Sequence, residues 1–402
     1  MSRPDVFLHI GAPKTGTTYI QRKLFANRKR LRSDGFLCPG KSAGAHVYAT
    51  FDLRGAKHHG NRHPNVRGAW QRTVDEIRES GFPAVIDSEL LSGASSAQIA
   101  RAVKDLSFAD VHVVYTLRDM ARTLPAAWQE RVKNCQKETL AEFLDIVHLP
   151  DDQRKETGNR FWHLQDTPAI LARWAEHVPA DRIHVVTLPP NGSDPSVLWT
   201  RFAGVLGLDP TRYREPGRGA NTSLGAPEAA VLRRLNVALD APEFPWSVYA
   251  PVVKNHLAVQ LASRRGPSIG LSHEEHDWCV KRSQEVADFI STAGYEVVGD
   301  LAETIPGEWR EGADPDAVDG DAQADAAVTA MAALVRYVAD HGEKNARTRR
   351  LESDLQRAQA ELRARAEEPP RQRIKRTVVE LSAQVGWVNS ALRAYRKARR
   401  RG

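Results

Sequence analysis

Four short, nearly uninterrupted apolar runs punctuate the first half of the chain: residues 6–10, 84–87, 111–117 and 183–188. Valine, isoleucine and tyrosine dominate them, which suits strands. A strand with one wet face alternates apolar and polar positions, whereas a continuous run needs cover on both faces. Between and beyond these runs, apolar positions recur at helical spacing near residues 19–31, 69–79, 121–134, 140–147, 169–177, 196–206, 226–238 and 274–293. Strands alternating with helices, and strands lacking a polar side, predict an α/β domain. The expected form is a P-loop-type three-layer sandwich, a central parallel sheet covered by helices, with a C-terminal helical extension. Ligands in such sheets bind beyond the carboxyl ends of the strands.

Two stretches break the pattern. Residues 27–65 lack clear periodicity and are rich in Gly, His and basic residues. They read as a long surface segment and part of a substrate cleft. Residues 308–325 carry seven acids and one arginine among Gly, Pro and Ala, the composition of a linker. The expected division is a domain over 1–305, an acidic flexible linker over 306–325, a charged helical segment over 326–368 and a basic amphipathic tail over 369–402. Leu351, Leu355, Ala358 and Leu362 share a seam, and Pro369-Pro370 ends that helix. In the tail, Ile374, Val378, Leu381, Val385, Val388, Leu392 and Tyr395 keep a 4-3-4-3-4-3 spacing. That is a coiled-coil seam, so a homo-oligomer through the C-terminal helices is expected. A basic helix lying on the anionic inner face of a membrane is the alternative.

Charge changes the picture of the body. The net charge is +7, but residues 369–402 hold ten Lys/Arg against the single acid Glu380. The rest of the chain is slightly acidic, so the basic balance gives no reason to expect a nucleic-acid partner. Nothing in the sequence reads as a membrane-spanning helix or a secretory leader. Cys38, Cys135 and Cys279 are isolated and form no metal pattern, which suits a cytoplasmic protein. His58, His59 and His63 cluster without a nearby carboxylate or cysteine, so loop histidines are expected there rather than a metal site. Trp128, Trp162 and Trp174 read as helix-face core.

The first apolar run leads straight into Gly11-Ala12-Pro13-Lys14-Thr15-Gly16-Thr17-Thr18. A buried strand ending in a tight turn that opens a helix presents free N–H groups to an anion. The ATP/GTP loop reads G-x-x-x-x-G-K-[ST]. Here Gly11 and Gly16 keep its spacing, but Thr17 stands at the lysine position and the lysine is Lys14, inside the loop. A cation there is placed to neutralise charge developing on a leaving group. The second run ends in Asp87-Ser88-Glu89, and the third in Leu117-Arg118-Asp119, followed by Trp128-Gln129-Glu130.

Taken together, these three pieces resemble the sulfotransferases that use 3′-phosphoadenosine 5′-phosphosulfate (PAPS), above all the bacterial branch related to carbohydrate sulfotransferases. The resemblance implies transfer of a sulfuryl group from PAPS to a hydroxyl or amine of a carbohydrate, glycolipid or small metabolite, with no metal. It implies that Lys14, Thr15, Gly16, Thr17 and Thr18 bind the 5′-phosphosulfate, with Lys14 on the bridging oxygen. Arg118 would bind the 3′-phosphate. The serine that usually follows eight positions later is Ala126, a departure from the family pattern that Thr123 does not obviously repair. A late glycine-rich loop is matched by Gly217-Arg218-Gly219, making Arg218 and Gly219 cofactor-binding. Glu89 matches the family's glutamate-type general base, with Asp87 as the other candidate. A P-loop kinase or NTPase, and a non-catalytic binding protein of the same fold, are the competing readings.

Overall fold

The computed structural model describes residues 3–56, 63–154, 156–217, 223–241 and 243–367, together with 390, 393 and 397. The chain divides into a compact unit, Met1–Ala333, and a second unit, Leu334–Gly402.

The first unit is built on five parallel strands: β1 (Asp5–Gly11), β2 (Ala84–Asp87), β3 (Asp110–Leu117), β4 (Ile183–Thr187) and β5 (Glu296–Val298). Their order is β2-β1-β3-β4-β5. Four strands match the four apolar runs. The fifth is a three-residue edge strand, too short to give a periodic signal. Alternate side chains enter different cores, which is why the strands lack a polar side. Leu8, Ile86, Val113, Tyr115 and Val185 face one core. Phe7, Val85, Val114 and Val186 face the other. The order reverses between β1 and β3, so both neighbouring loops open onto the crevice where ligands of doubly wound sheets sit.

The first helices are α1 (Thr17–Ala26), α2 (Arg28–Ser33), α3 (Ala43–Arg54), α4 (Ala69–Ser80) and α5 (Ser96–Asp105). After β3 come α6 (Met120–Lys133), α7 (Leu140–His148), α8 (Glu156–Gln165) and α9 (Thr167–Ala175). The remainder are α10 (Ser196–Val205), α11 (Ala226–Ala238), α12 (Trp246–Tyr249), the π-helical stretch Ala250–Leu257, α13 (Ala258–Ala262), α14 (His273–Thr292) and α15 (Gly320–Glu367). Trp128, Trp162 and Trp174 are buried as expected.

The structure corrects the reading of residues 27–65 as a surface segment without periodicity. The helix expected over 19–31 breaks at Asn27, whose side-chain amide donates to Lys23 O and Arg214 O, both at 2.9 Å. An asparagine that offers the backbone an alternative partner disfavours helix continuation. Beyond it lies α3, with His46, Ala49, Thr50 and Leu53 buried. His46 Nε2 lies 2.9 Å from Pro39 O, and its Nδ1 accepts the Asp87 N–H at 3.0 Å. His63 stacks on Tyr48 with ring centroids 4.5 Å apart; His58 and His59 lie outside the described residues.

The compact unit also runs further than composition marks. Trp309 Nε1 donates to Leu271 O at 2.9 Å, and Ala313 bridges to Ile269. Asp316 accepts the Ala141 N–H at the start of α7, at 3.1 Å. The chain enters α15 at Gly320, and Ala326, Ala330 and Ala333 are buried. Within the second unit, Leu351 and Leu355 are exposed. The tail seam lies outside the described residues. No described helix is long and apolar enough to cross a membrane.

Candidate active site

The Gly11–Gly16 turn is held from below and from both sides. His9, fully buried on β1, points Nδ1 at Asp87 Oδ1 on β2 at 2.9 Å. Its Nε2 lies 3.3 Å from Thr116 Oγ1 on β3. Thr116 donates to Gly11 O at 3.1 Å, and Thr15 Oγ1 reaches both Ala12 O and Thr116 Oγ1 at 2.5 Å. Gln165, at the end of α8, donates to Pro13 O at 2.8 Å. Arg118, just past β3, donates to Lys14 O at 2.9 Å.

Three positions in the turn have positive φ: Gly11 at 117°, Lys14 and Gly16. Gly16 has φ 85°, and an added Cβ would lie 2.5 Å from a Leu198 methyl. Lys14 has φ 69° without being glycine, a conformation that costs a non-glycine residue about 1 kcal/mol or more. Left-handed residues alternating with others in a turn bring successive N–H groups to one side, forming an anion-binding concavity. Among the described residues, no backbone acceptor is found for the N–H groups of residues 14–18.

Two carboxylates converge on this loop. Glu89 opens the 3₁₀ turn Glu89–Gly93 that follows β2, and accepts the Thr17 hydroxyl. Burial raises its pKa, opposed by the Thr17 hydrogen bond and the Lys14 charge and reinforced by Asp87 and Glu130. Glu130, on α6, binds Lys14 Nζ at 2.7 Å and Lys254 Nζ at 3.0 Å. Burial works to raise its pKa too, but the two lysines prevail and hold it at about 2. Asn134 donates to Glu130 Oε1 at 3.0 Å and accepts from Lys254 at 2.7 Å. Lys254 comes from the π-helical stretch, a local irregularity often found at functional sites.

The positions picked out along the sequence fall out as follows. Lys14, Thr15, Gly16, Thr17, Thr18 and Glu89 are together around the loop. Asp87 is fully buried and engaged with His9, beneath the loop. Thr18 is exposed at the rim of a small cavity of about 120 Å³ shared with Thr17, Gln21, Asp87, Ser88 and Glu89. Arg118 adjoins the same loop; burial and Arg122 lower its pKa to about 10, so it stays a cation at neutral pH. Neither Asp119 nor Glu130 holds it: Asp119 pairs with Arg122 and caps α6, and Glu130 serves the lysines. Ala126 is half-buried, and Thr123 is committed to Asp119 O at 2.8 Å, so it does not replace the missing serine. Arg218 and Gly219 lie outside the described residues. The segment leading to them is tied to α1, through Arg22 to Gly217 O, Lys23 to Glu215, and Asn27 to Arg214.

Lys254, and the pairing of Glu130 with Lys14, are what the sequence did not reveal. Glu130 is 116 positions from Lys14, and a lone glutamate in a helix carries no signal of its partner. The large cleft is also placed differently from expectation. A cavity of about 1110 Å³ opens beside Lys14 and Glu130, with Arg131, Arg160, Phe161 and Trp246 on its walls. Of the described residues within 27–65, only Phe51 lines it.

No family model matches the chain, and no curated protein matches it. Among solved structures, a sulfotransferase from Alicyclobacillus acidocaldarius aligns with 62% of this chain and 99% of its own length. The identity is 16% and the TM-score 0.37. A likeness that shallow leaves the functional reading to this chain's own residues.

Proposed function

We propose that this protein transfers a sulfuryl group from PAPS to a hydroxyl or amine acceptor. The observation that carries the reading is the pairing of Lys14, inside a pre-shaped anion loop, with a desolvated Glu89 across Thr17. The phosphosulfate would occupy the loop N–H groups of residues 14–18, with Lys14 at the bridging oxygen. Arg118 would take the 3′-phosphate, and Arg218 and Gly219 the neighbouring part of the nucleotide. The acceptor oxygen or nitrogen attacks sulfur while the bridging O–S bond breaks. Glu89 receives the acceptor proton, and adenosine 3′,5′-bisphosphate leaves with the bridging electrons. Positioning and charge stabilisation dominate such a step. Binding to the turn displaces Glu130 from Lys14, and Lys254 with Asn134 remains to hold the Glu130 carboxylate.

The 1110 Å³ cleft is the acceptor site in this reading. Aromatic rings interleaved with polar groups suit a carbohydrate, glycolipid or hydroxylated metabolite. Thermal-shift titration tests the reading: adenosine 3′,5′-bisphosphate should stabilise the protein without magnesium. Stabilisation by Mg-ATP alone would favour a P-loop kinase and sink the proposal. Assembly through the C-terminal helices, or their contact with a membrane surface, is a separate proposal resting on the tail seam. Removing residues 369–402 should change oligomeric state or vesicle binding while bisphosphate binding persists.

A further inference from the structure

The turn that carries Glu89 is fastened more completely than a five-residue connection needs. Within the backbone, Ser88 O accepts the Leu91 N–H at 2.9 Å, and Leu91 O accepts the Ala94 N–H at 3.0 Å. Ser92 Oγ donates to Glu89 O at 2.8 Å. The three remaining carbonyls each receive a side chain from a different helix. Arg54 of α3 donates to Leu90 O at 2.8 Å, and Arg173 of α9 to Ser92 O at 3.0 Å. His163 Nε2 of α8 lies 2.8 Å from Gly93 O, to which it donates in the Nε2–H tautomer, and 3.2 Å from Arg54 Nη2. Every carbonyl from Ser88 to Gly93 therefore has a partner.

The choice of donors is unusual. Among the described residues, Arg54 and Arg173 take part in no ion pair, and Arg173 Nε is buried without a partner. Burial, with the Arg173 charge added, lowers the Arg54 pKa. Two like charges are thus brought together to bind backbone oxygen, where neutral amides would satisfy the same groups. Hydrogen bonds from an ionised donor are about twice as strong as neutral ones. The turn also yields space to Arg54 and His163: a Cβ on Gly93 would stand 2.7 Å from His163 Nε2 and 2.8 Å from Arg54 Nη2. Two residues past His163 on α8, Gln165 holds Pro13 O in the loop of Lys14. One helix thereby grips both halves of the site.

We propose that Arg54, Arg173 and His163 are positioning residues for Glu89, fixing its turn so that the carboxylate meets Thr17 beside the Lys14 loop. None of the three touches the reacting atoms. The proposal rests on the sulfuryl-transfer reading, in which Glu89 is the base.

The test uses the full chain, with PAPS turned over to adenosine 3′,5′-bisphosphate and water as the acceptor probe. Arg54→Met and Arg173→Met should each lower kcat by roughly 10- to 100-fold, the size of effect a displacement of about 1 Å produces. The KM for PAPS and calorimetric bisphosphate binding should hold. Arg54→Lys and Arg173→Lys should recover part of the rate. Gly93→Ala, which keeps both arginines but crowds Arg54 and His163 off the turn, should reproduce the loss. Glu89→Gln combined with Arg173→Met should be no slower than Glu89→Gln alone. The acid limb of the rate should move to higher pH in the arginine variants, because a displaced Glu89 loses the Thr17 hydrogen bond that favours its ionised form. Losses that multiply with Glu89→Gln, or variants with unchanged kcat and pH profile, would overturn the positioning role alone. A wild-type protein that binds the bisphosphate but never consumes PAPS would overturn the sulfuryl-transfer reading beneath it.

Discussion

Glu89 and Glu130 are two carboxylates gathered around one lysine, and their surroundings drive them in opposite directions. Glu89 sits half-buried on a short turn after β2, with a hydroxyl rather than a cation as its bonded partner. Glu130 sits on α6 at the edge of the cleft, bridged by Lys14 and Lys254. Burial disfavours the charged form of both; only Glu130 has bonded cations to reverse the balance. A carboxylate held at about 2 is a poor proton acceptor near neutral pH, whereas one pushed upward is suited to the task. Under the proposed function, this contrast gives the turn the base and the helix the counter-ion.

The largest effect should come from Glu89→Gln. Removing a general base lowers the rate about 10²- to 10⁴-fold, read as kcat for PAPS consumption while bisphosphate affinity is retained. If Glu130→Gln gives the greater loss of kcat, the contrast is inverted. Lys14→Met follows, with an expected fall of about 10²- to 10³-fold for loss of one charge-stabilising donor. Glu130→Gln should act in the other sense on the nucleotide. Freed from its counter-ion, Lys14 should bind adenosine 3′,5′-bisphosphate more tightly, by about tenfold for each 1.4 kcal/mol of competition relieved. Weaker binding in calorimetry would show that Glu130 supports the site instead of competing for it.

Stability against pH separates the two residues without any substrate. Glu89 has its folded pKa above the unfolded value, so it lowers stability as pH rises from the ordinary carboxylate value through the raised one. Glu89→Gln should therefore melt higher than wild type at neutral pH and equally well once both states are protonated. Glu130 has the opposite sign: its contribution is present above the unfolded value and lost as pH falls toward about 2. Glu130→Gln should melt lower than wild type at neutral pH, with the difference closing in acid. The smallest expected effect is Gly16→Ala, which places a methyl against Leu198 at a left-handed position. A loss of about 1–3 kcal/mol in denaturant unfolding is expected.

The strands were legible because burial on both faces leaves few polar positions inside them: His9, His112, Thr116 and His184, apart from the terminal residues. The loop was legible because Gly11, Lys14 and Gly16 stand at fixed offsets after a strand. Helices with weaker patterns were not. In α3, the sequence Ala-Gly-Ala-His-Val-Tyr-Ala-Thr mixes small, polar and aromatic residues without a clear stripe, and its burial comes from tertiary neighbours. In α5, a signal was available: Ser95 and Gln98 form a reciprocal capping box. Glu130, Lys254, Arg54 and Arg173 had no local signature. Their roles arise from contacts made across 36 to 124 positions of chain, which no periodicity encodes.

The central claim is that Glu89, and not Glu130, takes the acceptor proton next to Lys14. The direct test is the pH dependence of PAPS consumption by wild type, Glu89→Gln and Glu130→Gln, measured without magnesium as release of adenosine 3′,5′-bisphosphate. The account predicts a wild-type acid limb above the ordinary glutamate value, its disappearance with most of the rate in Glu89→Gln, and its persistence in Glu130→Gln. An acid limb that survives in Glu89→Gln and vanishes in Glu130→Gln would contradict it.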